Sequence, residues 1–194
     1  WNTYVEEVVS TKSAAGGRGE FGTMEQSKVR PQRIDDIQIT EESRIDLGNG
    51  ELNRVLGGGL VRGSLVLIGG EPGIGKSTLI LQTVLALKGQ KILYVSGEES
   101  ARQLKLRAER IGGNAPDCYI VCETSLEDIF VHIRNVDPDI VVIDSIQTIA
   151  TSAMESSPGS VGQVRECAAS LLKFAKQTNT PVLLVGHINK EGSI

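Results

Sequence analysis

Eight consecutive residues, GEPGIGKS from Gly70 to Ser77, fit the spacing G-x-x-x-x-G-K-[ST] without a gap. The residue types define a chemistry. Gly73 and Gly75 can take backbone angles closed to other residues, so successive N–H groups can turn inward on an anion. A helix opening near Ser77 aims its positive end at the same point. Lys76 adds a cation able to reach β- and γ-phosphates, and the Ser77 hydroxyl suits Mg²⁺. The expected nucleotide cradle comprises Gly70, Glu71, Pro72, Gly73, Ile74, Gly75, Lys76, Ser77 and Thr78, holding ATP with Mg²⁺. The plain alternative is a glycine-rich turn carrying a surface lysine.

Asp144 ends the apolar run DIVVID. A carboxylate at the tip of a buried strand needs a partner, because an isolated buried charge costs several kcal/mol. Ser77 or a metal-bound water would serve, which makes Asp144 the second Mg²⁺ anchor. Capping the following residues is its alternative role, one Ser145 could also take. Glu98 and Glu99 follow the run ILYV within YVSGEES. A carboxylate there can accept a hydrogen bond from the water that attacks a γ-phosphate, and a like-charged neighbour would raise its pKa. The same acids would suit the first turn of the next helix, and both readings stay open on the residues alone. Glu98, Glu99 and Lys76 are the candidate catalytic residues. His187 and Asn189, in GHINK, could touch the γ-phosphate or relay its loss, and His187 joins the candidate nucleotide contacts. His132 reads as a solvated helix residue.

Short apolar strands alternating with amphipathic helices must position these groups. Strands are expected at 64–70, 91–96, 118–122, 139–144 and 181–186, with helices at 77–88, 101–111, 126–135 and 164–178. This rhythm indicates an α/β fold, a mostly parallel sheet flanked by helices on both faces, with its site at the carboxyl ends of the strands. A short helix in GELNRVLGGGL, stopped by Gly57–Gly59, precedes the first core strand, and IDDIQI at 34–39 reads as an edge strand. Residues 1–33 are rich in Ser, Thr, Gly and charge and read as a flexible leader before a core at 34–194. One long small-residue loop, TSAMESSPGSVG at 151–162, interrupts the rhythm at the active end of the sheet.

Composition narrows the class. Of 194 residues, 40% are hydrophobic but only 4% aromatic, so the core is expected to be aliphatic. The net charge of −4 excludes an all-over basic surface for nucleic acid. Cys118, Cys122 and Cys167 form no CxxC pair and read as free thiols in a reducing, cytoplasmic setting, with Cys118 and Cys122, which flank an apolar stretch, read as buried structural residues rather than metal ligands. No apolar run approaches the ~20 residues of a membrane span, so no membrane partner is expected.

The ordered segments GELNRVLGGGLVRGSLVLIGGEPGIGKSTLILQ, YVSGEES, IVVIDSIQT and GHINKEGSI resemble the bacterial RadA (Sms) family of DNA repair proteins. These are RecA-like P-loop ATPases, distinct from the archaeal recombinases of the same name. The resemblance covers 34–194, and WNTYVEE looks like the segment that follows the family's four-cysteine zinc finger. It implies ATP hydrolysis with Mg²⁺ and a homo-hexameric ring that binds single-stranded DNA. It also implies branch migration of recombination intermediates beside a RecA-type recombinase. By that likeness Asp144 is the Walker B acid, Glu98 the catalytic glutamate and His187 the sensor. Loop 151–162 and the loop beginning after Asn189 are the DNA contacts. Glu99 resembles the assisting glutamate of KaiC clock ATPases, and a KaiC-like regulatory ATPase acting on protein partners is the competing reading. Zn²⁺ is expected only in the finger, which this chain lacks. The family's KNRFG motif and Lon-protease-like domain are expected beyond Ile194, leaving the core truncated at its C-terminal end. GHINKEG departs from the commoner GHVTKEG.

Overall fold

Aliphatic runs become strands and the amphipathic stretches between them become helices. The computed structural model describes residues 33–36, 44–112 and 117–188. The chain divides into two units, Trp1–Thr40 and Glu41–Ile194. In the first, Ile34–Asp36 form a 3-10 turn in place of the expected edge strand. Two adjacent aspartates disfavour strand, and Asp36 N–H instead closes on the Arg33 carbonyl at 3.0 Å. The leader at 1–32 and the rest of the proposed strand, 37–39, lie outside the described residues.

The second unit begins with β1 (Arg44–Ile45), α1 (Gly50–Val55) and β2 (Leu60–Val61). The two strands pair antiparallel, Ile45 opposite Leu60. Gly59 has φ 134°, and a Cβ there would lie 2.7 Å from the Ile45 carbonyl oxygen, so only glycine fits. Two-residue strands carry too little periodicity to be read from sequence.

The core sheet contains β3 (Leu65–Gly70), β4 (Ile92–Ser96), β5 (Cys118–Cys122), β6 (Ile140–Asp144) and β7 (Val182–His187). All pair parallel, in the order β3-β7-β6-β4-β5. The chain travels from β3 to β4 and β5 through α2 (Lys76–Ala86) and α3 (Ala101–Ile111), then returns to β6 and β7 through α4 (Leu126–Val136) and α5 (Val161–Thr178). Right-handed crossovers place helices of opposite travel on opposite faces. Strand residues divide accordingly, with the period of two that a pleat imposes. Leu93, Val95, Val141, Ile143, Val182 and Leu184 pack with α4 and α5 residues such as Ile129, Val164 and Leu171. Ile92, Tyr94, Ile140, Val142, Leu183 and Val185 pack with Ile80, Leu81, Val84 and Leu104 of α2 and α3. Each fully buried aliphatic chain contributes about 1.5–3 kcal/mol.

Expected and observed elements agree within a few residues. The largest difference is α5, which starts at Val161 rather than at 164 because the Ser160 hydroxyl accepts the Gln163 N–H. Cys167 is buried and Cys118 half-buried, but Cys122 is exposed at the end of edge strand β5, so the reading of Cys118 and Cys122 as buried thiols is corrected at Cys122. Among the described residues, no helix is long and apolar enough to cross a membrane.

Candidate active site

Register carries the candidate residues to one sheet end. Gly70 lies opposite His187, and Ser96 lies opposite Asp144. Between β3 and α2, Gly73 and Gly75 take φ of 80° and 96°. No atom lies within 4 Å of a Cβ added at either, so backbone angle rather than space requires glycine. The helix beyond begins differently from its neighbours. Side chains cap α1 (Asn49), α3 (Ser100), α4 (Ser125) and α5 (Ser160), whereas α2 starts from Gly75 with no side-chain cap. Its first N–H groups are thus left for an outside acceptor.

Pro72, Gly73, Gly75, Lys76, Ser77, Thr78, Glu98, Glu99 and His187 line one open cleft of about 320 Å³. Arg107 of α3 joins them, unanticipated from sequence. Gly70 and Glu71 take part through their carbonyls, and Ile74 is 63% exposed on the turn. Lys76, only 6% exposed, donates to the Gly70 and Glu71 carbonyls at 2.8 and 2.7 Å and to His187 Nδ1 at 3.2 Å. Those contacts use all three of its protons. The Ser77 hydroxyl donates to Asp144 Oδ1 at 3.0 Å, and the buried Tyr94 hydroxyl donates to Oδ2 at 2.5 Å. Asp144 is therefore a strand-end carboxylate facing the cradle and not a cap. Ser145, joined to it by a cis peptide, does not cap either.

The two adjacent glutamates separate. Glu98 Oε1 accepts from Ser145 Oγ at 2.6 Å and from His187 Nε2 at 3.0 Å. Glu99 forms an ion pair with Arg107 at 2.7 Å. Neither belongs to the first turn of α3, which Ser100 caps reciprocally with Gln103. The expected rise in the Glu98 pKa is corrected. Burial does push it up, but hydrogen bonds from Ser145 and His187, with the nearby Lys76 charge, hold it below the ordinary glutamate range. Glu99 is not a bare like charge beside it, because Arg107 meets that charge.

The small-residue loop is fixed from beneath. Buried Gln163 accepts the Thr151 N–H at 2.9 Å and donates to the carbonyls of Thr151, Met154 and Ser156. Glu127 accepts from the Thr151 hydroxyl at 2.7 Å and from Ser152. His132 is half-buried on α4, away from the cleft lining, and Asn189 with the loop after it lies outside the described residues. Tyr94, Ser145, Arg107 and Gln147 were missed as contributors to this region. No group of three or more His, Cys, Asp or Glu able to hold a metal occurs among the described residues. The Ser77–Asp144 pair offers hard oxygen donors of the kind Mg²⁺ takes alongside water and phosphate.

Fold and cleft together define a RecA-like P-loop ATPase core. The AAA domain family matches residues 28–193, and the chain belongs to that family. It is similar along its whole length to DNA repair protein RadA of Bacillus subtilis (strain 168), with 52% identity over 196 aligned residues. The corresponding proteins of Listeria monocytogenes and Pseudomonas aeruginosa are 49% and 46% identical, again over 100% of this chain. The chain spans about two fifths of these curated relatives, 42–43% of their length. Among solved structures, a KaiC-like protein of the hyperthermophilic archaeon Pyrococcus horikoshii OT3 superposes with a TM-score of 0.63, covering 78% of this chain and 74% of that one. At 21% identity this likeness concerns the fold.

Proposed function

We propose that the chain is the motor core of a DNA-dependent ATPase of recombinational repair. It acts as a homo-hexameric ring that binds single-stranded DNA and drives branch migration. The carrying observation is the uncapped start of α2 beneath the Gly73–Gly75 turn, with Lys76, Ser77, Asp144 and Glu98 converging on it. Similarity to RadA proteins supports the repair setting.

The α2 amides would receive ATP phosphate oxygens in place of a side-chain cap. Lys76 would exchange a carbonyl or the His187 contact for a phosphate oxygen. Ser77 and Asp144 would hold Mg²⁺, which when bound neutralises the β- and γ-phosphate oxygens. Both recorded partners of Glu98 fall on Oε1, so Oε2 is the oxygen left to orient the attacking water. With its pKa lowered, Glu98 stays ionised at and below the usual glutamate value of about 4.3, ready to accept that hydrogen bond. Loop 151–162 carries only one charged side chain, Glu155, so its DNA contacts would come from hydroxyls and backbone amides.

The test is ATP turnover with and without single-stranded DNA. Lys76→Ala should lose nucleotide binding. Glu98→Gln should bind ATP normally and lose about 10²–10⁴-fold in kcat. Normal turnover in Glu98→Gln refutes the assignment of the water-orienting residue. Nucleotide-driven assembly without any response to DNA would instead support a regulatory, KaiC-like ATPase.

A further inference from the structure

Strand β6 stops pairing with β7 at Asp144, opposite Val185, yet β7 continues to His187. On its other side β7 remains paired to the end, His187 opposite Gly70. The N–H and C=O of His187 therefore face a place where the neighbouring strand has ended. The side chain of Gln147 fills it. Its Oε1 accepts the His187 N–H at 3.2 Å, and its Nε2 donates to the His187 carbonyl at 2.9 Å. A carboxamide carries the donor and acceptor of a peptide, so Gln147 substitutes for the missing rung of β6.

Gln147 is itself held in place. It sits in the 3-10 turn Ile146–Thr148, whose Ile146 is buried in the apolar layer and whose Thr148 hydroxyl donates to the Ser145 carbonyl at 2.7 Å. Gly97 packs so closely that a Cβ would collide with Thr148 Oγ1. At the other end of the relay, the His187 ring lies 3.2 Å from Lys76 Nζ through Nδ1 and 3.0 Å from Glu98 Oε1 through Nε2. The lysine ammonium can only donate, so Nδ1 accepts. The ring proton then sits on Nε2 and is given to Glu98.

We propose that Gln147 is a positioning residue of the hydrolytic site. By clamping the His187 backbone it sets the ring that links Lys76 to Glu98, and so fixes which Glu98 oxygen is left to water. It acts through His187, since Gln147 does not line the cleft. The kinetic consequence rests on the ATPase reading above; the effect on the His187 ring does not.

The test is a double-mutant cycle with Gln147→Leu, His187→Ala and the pair, with Gln147→Met as a second apolar isostere should the leucine variant not fold. Gln147→Leu should lower kcat about ten-fold or more with KM and ATP affinity unchanged. The double variant should be no worse than His187→Ala, because the two act as one unit. Wild-type kcat in Gln147→Leu, or losses that multiply in the pair, would overturn the proposal. Imidazole ¹⁵N NMR decides it independently of turnover, and with only two histidines in the chain, His132 and His187, assignment is direct. Neutral His187 should be the Nε2–H tautomer in the native protein and lose that preference in Gln147→Leu. An unchanged tautomer sinks the idea even in a protein that hydrolyses no ATP, whereas a lost preference without turnover in any variant removes only the ATPase reading.

Discussion

Asp144 is gripped by two hydroxyls of different character. Ser77 reaches Oδ1 from the first turn of α2, and Tyr94 reaches Oδ2 from within the sheet. Burial, then the charge and hydrogen bond of Asp144, push the Tyr94 phenol well above its ordinary range, so it remains a donor at any working pH. Oδ2 thus holds the Tyr94 proton, and Oδ1 is the oxygen that would exchange Ser77 for a metal-bound water. Tyr94→Phe keeps the ring in its apolar layer and releases Oδ2. The Mg²⁺ concentration for half-maximal turnover should rise about ten-fold or more, with ATP affinity in EDTA unchanged. A Mg²⁺ titration of ATPase activity checks this, and an unaltered midpoint refutes it. The site was legible where its chemistry is contiguous, as in Gly70–Ser77, or ends an apolar run, as at Asp144 and Glu98. Tyr94, Ser145 and Gln147 escaped because their partners lie 50, 47 and 40 positions away. A tyrosine inside ILYV reads only as core, and nothing local separates Glu98 from Glu99 until Arg107 and Ser145 take one each.

At the level of elements, loop 151–162 was legible as an interruption and its order was not. Its own small residues suggest a slack connector, while the groups that organise it belong to flanking helices. Gln163 ties three loop carbonyls from α5, and Glu127 at the start of α4 takes Thr151 and Ser152. The S-x-x-Q spacing from Ser160 to Gln163 was a helix-start signal, obscured by Gly162 between them. The Thr151 hydroxyl, the Glu127 backbone amide and Ser152 draw the Glu127 carboxyl down to about 2. A lowered folded-state pKa stabilises above the unfolded value and is lost as pH falls through the folded one. The melting temperature of Glu127→Gln should therefore lie roughly 2–4 °C below wild type at pH 6, with exposure keeping the effect modest. The gap should close as pH falls from about 4.5 towards about 2. A gap that persists at pH 2.5 would mean that Glu127 acts through packing rather than charge.

At the scale of the whole molecule, the alternation of strands and helices showed a two-faced parallel sheet because each face needs its own apolar period. The β1–β2 pair stayed hidden because pairing 15 or more residues apart fixes it more than local pattern does. The charge inventory of the cleft carries the larger consequence. Among the described residues that line it, the cations are Lys76 and Arg107. Lys76 serves the cradle, and Arg107 is joined to Glu99 at 2.7 Å. A dissociating γ-phosphate gathers more negative charge than one lysine and one metal ion offset, and a further cation is worth about 10³–10⁵ in rate in related phosphoryl transfers. In the ring proposed above, that cation comes from the neighbouring subunit. Turnover per subunit should then rise steeply with protein concentration, in step with assembly measured by light scattering. Glu98→Gln subunits mixed into wild type should lower activity in proportion to their own share, because they still donate the cation. A variant lacking the donor should instead silence its wild-type neighbour. Full turnover at concentrations where light scattering shows only monomer would overturn the requirement and place the missing charge within this chain.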